Sequence, residues 1–555
     1  MTRPFRIGII AATAVAIFAP LLLVLVQSLL SGPFFGQNVH VTPDAFTYVF
    51  TDGDFWRALR NSVIISIGMT AIAVPVGAIL AFLFVRSDLP GARWLEPLML
   101  APMFISSLVL SFGFVIAFGP VGIVSLWVRD MIGFVPWNLY SLHWLILIAG
   151  LTHVPHVFIY ASSALRNLGS DVEDAARSTG AGPLRVVLTV SLPMVRPALL
   201  YSAVLVFFLG FELFGLPLVL ADPQGVLVLA TYLYKLTNIL GVPSYQLMAV
   251  VVIVIVAIAL PLVFLQRKLL ATSDRYVSIK GKAGNQRRVA IGKWKWPALA
   301  LIVAWLAFTV ILPVAALVFR AFLSSWGEGA VLSESLTLEH FRELAGYPNL
   351  IRGIVNTFLV ASVGGALSVG LYALISLAQH RWKSRWATFL DYSVLLPRAM
   401  PGIIAGLAIF WVFLFVPFLQ PVRSTLISIW FAYTLVWMAY GMRLVQSSML
   451  QIAPDLEEAG RICGATGAQV SRYVTLPLIR TGLMGAWLLI FVTFVREYST
   501  GVYLLSPGTE VIGSLLVSQW ATGAVDTVVA LSTINIAMVM GGLFLLTIFR
   551  KKQNG

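Results

Sequence analysis

Asp171 to Leu199, DVEDAARSTGAGPLRVVLTVSLPMVRPAL, returns at Asp455 to Leu483 as DLEEAGRICGATGAQVSRYVTLPLIRTGL. Laid over one another without a gap, the copies match at Asp171/Asp455, Glu173/Glu457, Ala175/Ala459, Arg177/Arg461, Gly180/Gly464, Ala181/Ala465, Leu192/Leu476, Pro193/Pro477 and Arg196/Arg480. Both are polar islands in a very apolar chain. A repeat at fixed spacing means one structural unit used twice, so it is read before anything else.

As local chemistry, each copy predicts a short helix, a glycine break and a second helix. Ser170 suits the N-cap, and Asp171, Glu173 and Asp174 put negative charge in the first turn, where the helix dipole favours it. Gly180, which Gly464 matches in the second copy, suits the left-handed position that ends a helix. Pro183 suits the first turn of the next helix, and Pro193 is expected to end it. The product is a compact polar knob.

These residues resemble the EAA motif of permease subunits of ATP-binding-cassette (ABC) importers, which runs Glu-Ala-Ala, three residues, Gly, and then Leu-Pro. The copies read Asp174-Ala175-Ala176 with Gly180, and Glu458-Ala459-Gly460 with Gly464. They depart from the pattern at Asp174, which has Glu173 before it, and at Gly460. The resemblance implies that each knob docks on a cytoplasmic ATPase through Glu173, Asp174, Ala175 and Gly180, and through Glu457, Glu458, Ala459 and Gly464. It implies two ATPase copies, which bind ATP and Mg, and an external or periplasmic substrate-binding protein.

Of the 555 residues, 59% are hydrophobic and 11% charged, and the mean hydropathy is +0.92. Apolar runs near the length of about 20 residues that spans a bilayer recur at 7–31, 61–85, 96–118, 142–164, 197–220 and 244–266. They recur again at 297–323, 350–378, 389–416, 425–447, 481–504 and 526–549. The expectation is an all-α polytopic membrane protein of about twelve spans, as two parallel six-helix repeats. The first run reads as a retained span rather than a cleaved leader. The halves would be 1–266 and 297–555, joined by a basic linker, 267–296, suited to anionic lipid headgroups.

The net charge of +14 does not call for nucleic acid, because the bases sit where the positive-inside rule puts them. Arg86, Arg93, Arg166, Arg177, Arg185, His380, Arg381, Lys383 and Arg385 follow even-numbered spans, whereas Asp44, Asp52, Asp54, Glu328, Glu339 and Glu510 lie on the other side. Both termini and both knobs are therefore expected in the cytoplasm of a bacterial cell. The repeat also runs past the knobs, since Asn61-Ser62 and Asn356-Thr357 open equivalent spans at constant offset.

No GxxxxGK[ST] loop is present to cradle ATP phosphates, so energy must come from a partner and the chain is not itself an enzyme. Cys463 is the only cysteine, His153 and His156 are the closest histidines, and no zinc spacing occurs, so no resident cofactor or metal site is expected. Among fused permeases, the length, Tyr276 to Lys282 and Leu396-Pro397-Arg398-Ala399-Met400-Pro401-Gly402 are most similar to the ferric iron permeases. Permeases for 2-aminoethylphosphonate, thiamine and polyamines share most of these features. The competing class is an ion-coupled secondary transporter, which has no use for matched polar knobs.

Glu212 and Glu497 lie inside apolar runs, Glu212 roughly 22 Å along its helix at 1.5 Å per residue. Buried ionisable groups are costly and mark a polar pathway or a partner. Gly210, Gly215, Pro217 and Gly501 nearby predict interrupted helices. The expectation is that the two glutamates face one another as a negative station or gate for a cationic cargo, with fixed packing as the alternative.

Overall fold

A computed structural model describes residues 3–33, 36–168, 170–238, 244–273, 288–328, 335–382, 384–397, 400 and 402–554. The stretch 276–282 and residues 398, 399 and 401, which carry the likeness to ferric iron permeases, lie outside them, as does much of the basic linker. Among the described residues no strand forms, and ten helices are long and apolar enough to cross a membrane. Two expected spans are present as shorter apolar helices, Gly402–Phe415 and Leu426–Val436, the latter followed after Trp437 by Met438–Met449.

The chain forms two compact units that do not follow its halves. One comprises 1–51, 236–256 and 336–555; the other comprises 52–235 and 257–335. The helix Arg3–Ser28 thus packs among second-half helices, with Phe18 stacked on Phe389, and Leu312–Ala321 packs on Ser107–Phe118 of the first half. Gly113 lets the latter pair close, since a methyl group there would lie 2.5 Å from the Pro313 carbonyl oxygen. The halves expected from sequence, 1–266 and 297–555, are not the compact units: each unit holds the first span of the other half.

Around the first knob, Gly53–Arg86 lies along Leu142–Asn167. Gly77 and Gly150 are what allow the approach: a Cβ on either would sit within 2.7 Å of Val157 or Ile72. Small residues at such crossings let backbones meet where no water drives the helices together.

Candidate functional site: the two polar knobs and the helix breaks

The first knob begins with the helix Ser170–Ser178 and the second with Pro454–Ile462. Gly180 (φ +86°) and Gly464 (φ +83°) are left-handed as expected. The amides of Gly180 and Ala181 donate to the carbonyls of Arg177 and Ala176, and those of Gly464 and Ala465 to Arg461 and Gly460, at 2.9 to 3.2 Å. This is the Schellman closure, which satisfies carbonyls a helix end leaves open. The next helix starts at Pro183 in one knob; in the other it starts at Gly467, capped by reciprocal hydrogen bonds of Thr466 and Gln469.

Pro193 and Pro477 do not end their helices. Each helix widens into a π-turn, Val187–Ser191 or Ser471–Thr475, and then continues as Leu192–Glu212 or Leu476–Val495. A proline ring clashes with the carbonyl four residues back in an α-helix, and the wider turn accommodates it.

The adjacent acids of each knob part company. Glu173 is 3% exposed and Glu457 2%. Glu173 accepts from the Ser191 hydroxyl at 2.8 Å and pairs with Arg86 at 3.2 Å; Arg177 stands 3.9 Å away. Glu457 accepts from the Thr475 hydroxyl at 2.9 Å, with His380 Nε2 at 2.9 Å and Arg381 at 3.0 Å. Burial disfavours its charge, but Thr475, His380 and Arg381 outweigh burial and hold its pKa below the usual glutamate value. Asp174 is half-exposed, 3.6 Å from Arg177, and Glu458, Ala175, Ala459, Gly180 and Gly464 are exposed. The exposed part of each knob is therefore Asp174 with Ala175, and Glu458 with Ala459. Glu173 and Glu457 point into their own unit.

The family of binding-protein-dependent transport system inner membrane components matches residues 73–272 and 367–553, so it covers both knobs and most of the chain. The chain belongs to that family. The ferric transport system permease protein FbpB of Actinobacillus pleuropneumoniae is 22% identical over 508 residues, 90% of this chain and 72% of that one. The Fe(3+)-transport system permease protein FbpB 2 of Haemophilus influenzae is 21% identical over 473 residues, 83% of each chain. The crystal structure of a bacterial ABC transporter involved in the import of the acidic polysaccharide alginate aligns with a TM-score of 0.37 at 18% identity, covering 47% of this chain and 96% of that one. Membership of the inner membrane component family sets aside the ion-coupled secondary transporter.

Both predicted interruptions occur. One helix ends at Glu212 and restarts at Gly215; the other ends at Val495, just before Glu497. Glu497 is 7% exposed. One carboxylate oxygen accepts from the amides and hydroxyls of Ser499 and Thr500 at 3.0 to 3.2 Å, and the other from Trp437 Nε1 at 2.9 Å. Its side chain thus caps the broken turn. Glu212 closes its helix half-buried. His153 bonds back to the Ala149 carbonyl at 2.8 Å and stacks on His156, and among the described residues no group of three or more His, Cys, Asp or Glu gathers to hold a metal.

The repeated Asn61-Ser62 and Asn356-Thr357 acquire a role that sequence did not disclose. Asn61 Nδ2 donates to the Leu227 carbonyl at 3.0 Å, and the Leu229 amide donates to Ser62 Oγ at 2.9 Å. Asn356 Nδ2 donates to the carbonyls of Gly508 and Glu510 at 3.1 and 2.8 Å, and the Ile512 amide donates to Thr357 Oγ1 at 2.8 Å. Each pair holds the start of the short helix beyond the break, Leu229–Asn238 or Ile512–Ala521. Their only sequence signal is an uncapped polar pair at one offset in both halves. On the same side, Arg352 pairs with Glu510 at 2.8 Å, and this hydrogen bond keeps the Glu510 pKa low.

Proposed function

We propose that this chain is the fused permease of an ATP-driven importer of ferric iron, received from a periplasmic binding protein and passed through the bacterial inner membrane. Its similarity over 90% of its length to a ferric transport permease supports the cargo. The observation that carries the mechanism is the pair of knobs, each presenting an exposed acid beside a left-handed glycine. Two copies of a cytoplasmic ATPase dock on them, and ATP and Mg belong to those partners. Each ligand must favour one of two global states for coupling to arise.

The test is reconstitution in liposomes. Ferric uptake should require the ATPase, ATP and a ferric-loaded binding protein together, and the ATPase should co-purify at two copies per chain. Uptake by the chain alone, or driven only by an ion gradient, would overturn the proposal.

Within this reading the two glutamates at the breaks differ. Glu212 serves as the negative station for the cation, whereas Glu497 is an anchor of its turn. Glu212→Gln should lower ferric uptake normalised to the amount of folded permease. Glu497→Gln should destabilise the purified chain by about 1–3 kcal/mol, because it loses charge-assisted acceptors in a buried turn. Equal yields with equal losses of uptake would remove the distinction.

A further inference from the structure

The offset that sets Asn61 against Asn356 also sets Arg86 against Arg381, and the knob offset sets Leu168 against Ile452 and Ser191 against Thr475. In each unit these matched residues meet the buried acid. Arg86 Nη2 donates to the Leu168 carbonyl at 3.1 Å, with its Nε 3.2 Å from Glu173. Arg381 Nη2 donates to the Ile452 carbonyl at 3.0 Å, with its Nη1 3.0 Å from Glu457. The acids then accept from Ser191 and Thr475, the last residues of the two π-turns.

The same contacts, made twice by residues with different flanking sequence, are hard to explain as incidental packing. Arg86 is 5% exposed, and burying such a pair is a weak way to gain stability. Arg381 is held at φ +53°, one of few non-glycine residues with positive φ among those described. That backbone strain persists only where surroundings impose it, and it gathers at functional sites. The π-turn is likewise a rare element found mostly at such sites.

The chain itself joins each knob to the helices before and after it. The arginine adds a third element, the second span of the half, since it stands at the cytoplasmic end of that span. At its other end the same span carries Asn61-Ser62 or Asn356-Thr357, which grip the segment beyond the membrane break. We infer that Arg86–Glu173–Ser191 and Arg381–Glu457–Thr475 are latches that clamp each knob to the second span of its half, making that span a rod from the ATPase surface to the outer segments at 227–238 and 508–521. The four charged residues are positioning residues: they touch neither cargo nor nucleotide. The latch rests on the importer reading, which supplies the motion to be transmitted.

The experiment uses the full chain with its ATPase and binding protein in liposomes. Glu173→Gln together with Glu457→Gln leaves Arg86 and Arg381 without a carboxylate partner and should lower the melting temperature; the chain that folds should still bind the ATPase, yet take up roughly tenfold less iron per ATP hydrolysed, the effect of losing a charge-assisted contact in the coupled state. In the wild type, ATP should alter hydrogen–deuterium exchange at 227–238 and 508–521; in the double variant that response should vanish while the ATPase stays bound. The paired exchange Arg86→Glu with Glu173→Arg should recover part of both signals. Unchanged uptake per ATP and an unchanged exchange response overturn the latch. Failure of the wild-type chain to bind any ATPase overturns the importer reading instead. If the glutamine variant does not accumulate, Ser191→Ala with Thr475→Val removes the hydroxyl donors and keeps the ion pairs; a partial loss of uptake per ATP then supports the latch, and wild-type coupling refutes it.

Discussion

Replacing Gly180 and Gly464 together by valine is expected to abolish transport. At φ +86° and +83° a β-branched side chain clashes with its own backbone, whatever the space around it. Here the space is open: a Cβ at either position meets nothing within 4 Å. The penalty is therefore purely conformational, about 2 kcal/mol at each position. The chain can relieve it by unwinding the Schellman closure, which frees the carbonyls of Ala176, Arg177, Gly460 and Arg461 and displaces the acids that the proposed ATPase contact needs. Asparagine tolerates the left-handed region, so Gly180→Asn with Gly464→Asn should keep most of the uptake. The measurement is ATP-dependent uptake in vesicles, normalised to permease content. Full activity in the valine variant, or equal loss with asparagine, would show that the knob does not depend on this geometry.

The second large effect is expected from reversing the exposed acids, Asp174→Lys with Glu458→Lys. These side chains stand in solvent, and Asp174 makes only a weak pair with Arg177, so the fold should change by less than about 1 kcal/mol. Docking should change far more, because like charges brought together at an interface cost several kcal/mol. Retention of the ATPase on affinity-purified permease should fall about a hundredfold or more, with the melting temperature unaltered. The contrast with the glutamine variants of Glu173 and Glu457 is diagnostic, since those should retain the ATPase and lose coupling. A reversed variant that binds ATPase normally would remove Asp174 and Glu458 from the contact.

Much of this was legible in the sequence because it depends on local properties. Apolar run length fixes membrane spans, the left-handed glycines fix the ends of the knob helices, and glycine and proline around Glu212 mark the broken helix. The gapless match of Asp171–Leu199 with Asp455–Leu483 is enough to establish the duplication. Proline misled: Pro193 was expected to end its helix, but a π-turn placed just before it, as before its match Pro477, lets the helix run on, and π-turns carry no compositional mark.

What only tertiary structure decided are the matters that turn on which way a side chain faces and what waits for it. Glu173 and Asp174 are chemically near-identical neighbours, and adjacent positions on a helix differ by about 100°; burial against Arg86 and Ser191 separates the internal acid from the exposed one. In sequence Glu497 could be a pathway group or a packing one, and only the structure shows the hydrogen bonds it accepts from Ser499, Thr500 and Trp437. The exchange of first spans between the compact units was equally hidden. Hydropathy reports that a helix is apolar enough for lipid, but the residues it will touch are set by the matching of surfaces, such as Gly113 against Pro313, contributed from far apart in the chain.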